Sequence, residues 1–166
     1  MDITNISLLI SVIAFLISVF VFFRLKDAKQ TEEEAPFTSR PLQLQAYERL
    51  VLLCERIALP SLISRVSQPG LTVREMQLFL IETIKQEFEY NASQQIYVSV
   101  IAWDAVRNLR DQTLLIINQL SNVLPADAKA SELNKQLLEL MIKDEGKALH
   151  SSVLETLNYE AKRLLR

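Results

Sequence analysis

Glycine is nearly missing from this chain: Gly70 and Gly146 are the only two. Neither a G-x-G-x-x-G turn nor a phosphate-cradling P-loop can be written with them, which excludes dinucleotide binding and nucleotide hydrolysis in their usual forms. A single cysteine, Cys54, leaves no partner for an intramolecular disulfide, as expected of a domain in a reducing compartment. With only one histidine, His150, beside it, no protein-held zinc, haem or iron–sulfur cage is expected, and the chain reads as one without a cofactor. A di-iron bundle needs Glu-x-x-His pairs, and Lys147 stands where that glutamate would be. Excess charge of one sign is lacking too. From residue 41 onward fourteen Lys and Arg face fifteen Asp and Glu, so there is no basic stripe for phosphates and nucleic acid is not an expected partner.

Charge is also absent from Ile3 to Phe23 (ITNISLLISVIAFLISVFVFF), and Arg24, Lys26 and Lys29 follow at once. At 1.5 Å per residue this run reaches about 30 Å, the thickness of a bilayer's hydrocarbon core, so residues 1–26 are expected to form a transmembrane anchor with the lipid bilayer as partner. A cleavable signal peptide would need a basic leading region, a shorter apolar core and a small-residue cleavage site, and none is present. Basic residues on the C-terminal flank place the N-terminus outside and the bulk of the chain on the cytoplasmic face of the plasma membrane. Ser7, Ser11, Ala14 and Ser18 recur at spacings of four, three and four, forming a small-residue stripe. Two readings stand beside each other: a packing face for another span, or serines tolerated singly through bonds to carbonyls one turn back.

Residues 27–40 (DAKQTEEEAPFTSR) are polar, without apolar period, and read as a flexible tether. Residues 41–166 are enough for one compact domain. Its fold class is all-α: an antiparallel bundle of four to five helices, since sparse Pro and Gly separate segments of helical period. The first spans Leu42 to Ala58 with a stripe of Tyr47, Leu50, Val51, Cys54, Ile57 and Ala58, followed by a short turn after Pro60. Thr72 and Glu75 make a capping box that opens the second, which buries Val73, Met76, Leu80, Ile84 and Phe88 and ends near Tyr90 or Asn91. Ser99 caps the third, whose seam of Ala102, Val106, Leu109, Thr113, Ile116, Leu120 and Val123 alternates four and three through three heptads. A fourth runs from Ala128 to Lys143 on Leu133, Leu137, Leu140 and Met141, and Gly146 supplies the break. A fifth, Lys147 to Leu165, buries Leu149, Val153, Leu157, Ala161 and Leu164. The stretch Gln95 to Ile101 has a β-like composition, but a lone strand has nothing to pair with.

No catalytic constellation is evident, so the chain is not expected to be an enzyme. Cys54 and His150 are the minimal pair for a thiol enzyme, yet each lies in or beside an apolar stripe, where a thiol acts as a small hydrophobe. The best place for function is Phe88 to Trp103 (FEYNASQQIYVSVIAW), where Tyr90, Tyr97 and the only tryptophan flank uncharged amides. Aromatics beside adaptable amides are the composition of a protein-binding hot spot, which makes Tyr90, Asn91, Gln94, Gln95, Tyr97 and Trp103 candidate partner-binding residues. The competing reading is structural: Asn91 and Ser99 as caps, Gln94 completing a box with Asn91, and the rings filling the bundle end.

LQAYERLVLLCERI (residues 44–57) and FEYNASQQIYVSVIAW resemble the signature stretches of an uncharacterised family of short bacterial single-pass membrane proteins with a helical cytoplasmic domain. The resemblance implies the same topology, at the inner membrane, and carries no known activity, cofactor or catalytic residue. The expected function is a non-catalytic, membrane-tethered interaction or scaffold module whose partner is another membrane or cytoplasmic protein, or a second copy. The alternatives are an elongated stalk-type subunit, which needs a long unbroken helix, and a bundle that binds a lipid or other apolar ligand.

Overall fold

The structure, a computed structural model, describes residues 39–142 and 145–165. The expected anchor, most of the tether and the stripe of Ser7, Ser11, Ala14 and Ser18 lie outside the described residues, as does Lys143. Among the described residues all regular structure is helical: α1 Arg40–Ile57, α2 Leu59–Val66, α3 Val73–Asn91, a 3₁₀ turn Ala92–Ile96, α4 Val100–Val123, α5 Ala130–Ile142 and α6 Glu145–Leu164. None of these helices is long and apolar enough to cross a membrane.

Cross-helix contacts fix the directions. Arg56 near the end of α1 meets Glu87 on α3 while Tyr47, nine residues earlier, reaches Ser99 beyond the end of α3, so α1 runs antiparallel to α3. Tyr47 meets Glu160 late in α6 while Ile57 shares a hollow with Leu149 early in it, so α1 runs antiparallel to α6 as well. Gln77 pairs with Asn118 and Phe88 stacks near Trp103, which sets α4 antiparallel to α3. The N-terminus of α1, the 3₁₀ turn, the start of α4 and the end of α6 therefore share one end of the bundle. Helix α5 packs against α2, α3, α4 and α6. The core is mainly apolar, with Leu50, Leu53, Ile57, Leu62, Met76, Leu80, Ile84, Ile117, Leu133, Leu137 and Leu157 fully enclosed.

Local chemistry explains most boundaries. Proline at the start of α1 and of α2 sits where a missing N–H costs nothing. Thr72 Oγ1 accepts from the Glu75 N–H while Glu75 Oε2 accepts from the Thr72 N–H at 2.9 Å, so the capping box forms as expected. Gly70, at φ 87°, turns the chain into that cap after Pro69. The first N–H groups of α3, which no helical carbonyl can satisfy, also find partners: Val73 and Arg74 donate to Ala128 and Ala126, and Ala130 donates back to Leu71. Two helix starts are thereby stitched together at the other end of the bundle.

Three expectations are corrected. The turn after Pro60 is a helix of eight residues, making six helices among the described residues where four or five were expected in the bundle. The heptad seam of α4 holds only to Thr113. Beyond it Ile117 and Ser121 are buried, Ile116 and Leu120 are half-buried and Val123 is 77% exposed. Steps of four advance the stripe by about 40° each on a 3.6-residue helix, carrying the buried line onto Ile117 and Ser121 while Ile116 joins the wall of a hollow with Leu140, Leu149 and His150. The buried hydroxyls stay satisfied, Thr113 donating to the Leu109 carbonyl and Ser121 to that of Ile117. Finally, α6 begins at Glu145, so Gly146 falls in its first turn and not in the break. The β-like stretch Gln95 to Ile101 forms no strand; it ends the 3₁₀ turn and opens α4.

Thr72→Ala is expected to lower unfolding stability by about 1 kcal/mol through loss of the cap, and Leu80→Ala by about 3 kcal/mol through the cavity it leaves, both read by urea denaturation.

Candidate functional site

The segment from Phe88 to Trp103 closes the end of the bundle where α1 begins, and a single hydroxyl positions it. Tyr47 Oη donates to Glu160 Oε2 at 2.5 Å and accepts the Ser99 backbone N–H at 3.2 Å. One phenol on α1 thus links the last helix to the loop before α4. Burial, and then the neighbouring Glu160 carboxylate, push this phenol above its usual range, so it keeps the proton it donates. Ser99 performs the expected N-cap, its Oγ accepting from the Ala102 N–H at 3.0 Å.

The six candidate residues divide. Asn91 is buried, forms no cap, and donates from Nδ2 to the Glu87 carbonyl one turn back. The box between Asn91 and Gln94 therefore does not exist; Gln94 is half-buried and its Nε2 donates to Ser93 Oγ at 3.2 Å. Trp103 is half-buried, its ring 5.1 Å from that of Phe88, and the Arg110 guanidinium covers the other ring at 3.9 Å. Asn91 and Trp103 build the scaffold. Tyr90 is 74% exposed, Gln95 is exposed and Tyr97 is at the edge of exposure, so these three are left to meet solvent or a partner. Sequence reasoning passed over Leu52, 60% exposed, and Ile96, Val100 and Ile101. A signal existed for Leu52: it lies out of phase with the stripe set by Leu50, Leu53, Cys54 and Ile57, so no core position required an apolar residue there.

Between α1 and α3 lies a groove of about 600 Å³ lined by Arg49, Leu52, Leu53, Arg56, Glu87 and Tyr90, among others. An ion cluster stands along its edge. Glu87 Oε1 accepts from Arg56 Nε at 2.7 Å and from Arg65 Nη1 at 3.2 Å, and Arg65 also donates to the Arg56 carbonyl. Burial alone would raise the Glu87 pKa; the hydrogen bonds and charges of Arg56 and Arg65 override it and hold the carboxyl below its usual range. A second hollow, about 470 Å³, lies between α1, α4, α5 and α6, with His150 in its wall and His150 Nε2 buried without a hydrogen-bond partner. Cys54 is fully enclosed and burial pushes its thiol up to about 12. Among the described residues no group of His, Cys, Asp and Glu could hold a metal ion.

Two outcomes are expected. Tyr47→Phe, which leaves the Ser99 N–H unpaired, should cost about 2 kcal/mol in stability by denaturant unfolding. The lowered Glu87 pKa means that the unfolded chain takes up this proton at higher pH than the folded one. The stability the cluster contributes is therefore full above about pH 4.5 and is lost as pH falls through the folded value. Glu87→Gln should be destabilised at pH 7, with the gap to the parent protein closing as unfolding is followed down to pH 3.

No curated protein and no solved structure matches the chain. The pattern of a family of unknown function (DUF7935) matches residues 1–164, nearly the whole length, so the chain belongs to that family, which agrees with the expectation of an uncharacterised family.

Proposed function

We propose that the chain is a non-catalytic interaction module tethered to the cytoplasmic face of the plasma (inner) membrane, with residues 3–23 as a single-pass anchor and the N-terminus outside. The observation that carries this reading is the groove between α1 and α3. It presents an apolar residue out of phase with the core, Leu52, across from the exposed ring of Tyr90, with Arg49, Arg56 and Glu87 around them. An apolar centre with a charged rim between two antiparallel helices is the form that receives a partner helix. Anchoring multiplies such a site's effectiveness by raising the local concentration of membrane partners, without adding a contact.

The hollow beside His150 favours a second reading, a bundle that binds an apolar ligand bearing one polar group for the unpaired Nε2. The stalk reading finds less support, since the longest described helix has 24 residues and folds back against α3 and α6.

Purification of the full chain from detergent-solubilised membranes should recover a protein partner that Leu52→Glu loses while the bundle stays folded. Repeated recovery of the parent chain alone as a monomer would overturn the proposal, and release by alkaline carbonate would overturn the anchor.

A further inference from the structure

Exposed apolar residues are unevenly placed on this bundle. Seven large hydrophobics among the described residues are at least 70% exposed; Tyr90, Ile96, Val100, Ile101 and Leu165 lie at the end where the chain enters at Arg40, and Val123 and Ile142 lie elsewhere. Their stretch is uncharged, with no Asp, Glu, Lys or Arg between Glu89 and Asp104. Of those two bracketing acids, Asp104 is neutralised by Arg107 at 2.7 Å. Charged groups stand beside the apolar ones: Ile101 shares a shallow hollow with Tyr159, Lys162 and Arg163 and with the carboxylates of Glu155 and Glu160, the second of which accepts the Tyr47 hydroxyl, and exposed Arg40 opens α1 at the same end.

We infer that this end of the bundle docks on the lipid bilayer, with Ile96, Val100 and Ile101 seated at the boundary between headgroups and acyl chains. The inference rests on the proposed anchor. Residues 27–40 span at most about 50 Å when fully extended, so a domain that begins at Arg40 is never far from the surface to which residues 3–23 would hold it. Branched aliphatics, tyrosines and neutral amides, with Lys and Arg alongside, are the composition that partitions into the interfacial layer, where the rings sit at headgroup level and the cations meet anionic lipid. The surface is also preorganised. The Tyr47 hydroxyl holds the Ser99 backbone and the Ser99 cap fixes the start of α4, so few rotamers remain to be frozen on contact. A helix-receiving groove and a lipid-facing end can then operate together, because Leu52 lies along α1 and Ile96 lies at its entrance.

The test uses the full chain reconstituted in vesicles of mixed zwitterionic and anionic phospholipid, with one spin label per sample. Enclosed Cys54 does not compete for the reagent, so Ile13→Cys, Ile96→Cys and Val123→Cys can each be labelled alone. Labels at 13 and 96 are expected to collide more with dissolved oxygen than with a water-soluble nickel chelate, and the label at 123 the reverse. Adding Val100→Glu and Ile101→Glu should move the label at 96 into water while far-ultraviolet dichroism is unchanged. A label at 96 that reads as aqueous while that at 13 reads as lipid overturns the docking alone. Aqueous readings at both overturn the anchor and the docking with it. A label at 96 shielded from both probes and broadened by a neighbouring spin marks contact with a second copy, and likewise overturns it.

Discussion

The hydroxyl of Tyr47 is the constraint on which one end of this bundle depends. Helices can pack by apolar burial alone, but burial has no direction and does not say where an uncharged loop should lie. The phenol supplies that direction. Its ring is enclosed between helices while its oxygen spans two partners sixty-one residues apart, Ser99 in the middle of the chain and Glu160 near its end. A loop rich in exposed aliphatics would otherwise be free to collapse on the core or pair with another molecule. Held by its backbone at Ser99, it becomes a fixed surface.

The other end is secured differently. There the backbone bonds between Leu71 to Arg74 and Ala126 to Ala130 satisfy orphan helix donors directly, and the Thr72 and Glu75 box closes the remainder. Buried polar groups inside the bundle are few, and apart from Asn134 Oδ1 and His150 Nε2 their side-chain atoms are bonded. Gln77 accepts from Arg74 and donates to Asn118, and the two buried hydroxyls of α4 reach back one turn. Stability is thus concentrated in apolar contact and in caps, leaving Leu52, Tyr90 and Ile96 free of structural duty.

Much of the bundle was legible because helix periodicity and capping are local. Thr72 with Glu75, Ser99, and the stripes of Leu80, Leu133 and Leu157 follow from residue type and spacing of three and four. What spacing could not convey is how the helices cross. The shift of the buried face of α4 from Ile116 to Ile117 depends on which neighbours lie alongside, and a heptad pattern in isolation cannot choose between them. Asn91 misled for a related reason: its side chain can cap the next turn or bond backward, and only the packed end of α3 decides for the Glu87 carbonyl. The candidate surface was half legible. Tyr90 and Tyr97 stood out by composition, whereas the enclosure of Trp103 by Phe88, with Arg110 over the Phe88 ring, joins residues far apart in sequence.

Hydrogen exchange at the Ser99 amide in the full chain is the most direct measure of whether a single phenol fixes this end of the bundle. The account predicts protection approaching that of the interior amides of α4, with loss of that protection in the Tyr47→Phe protein while α3 and α5 remain slow. Exchange at Ser99 as fast as in an unstructured peptide, in the parent protein, would contradict it.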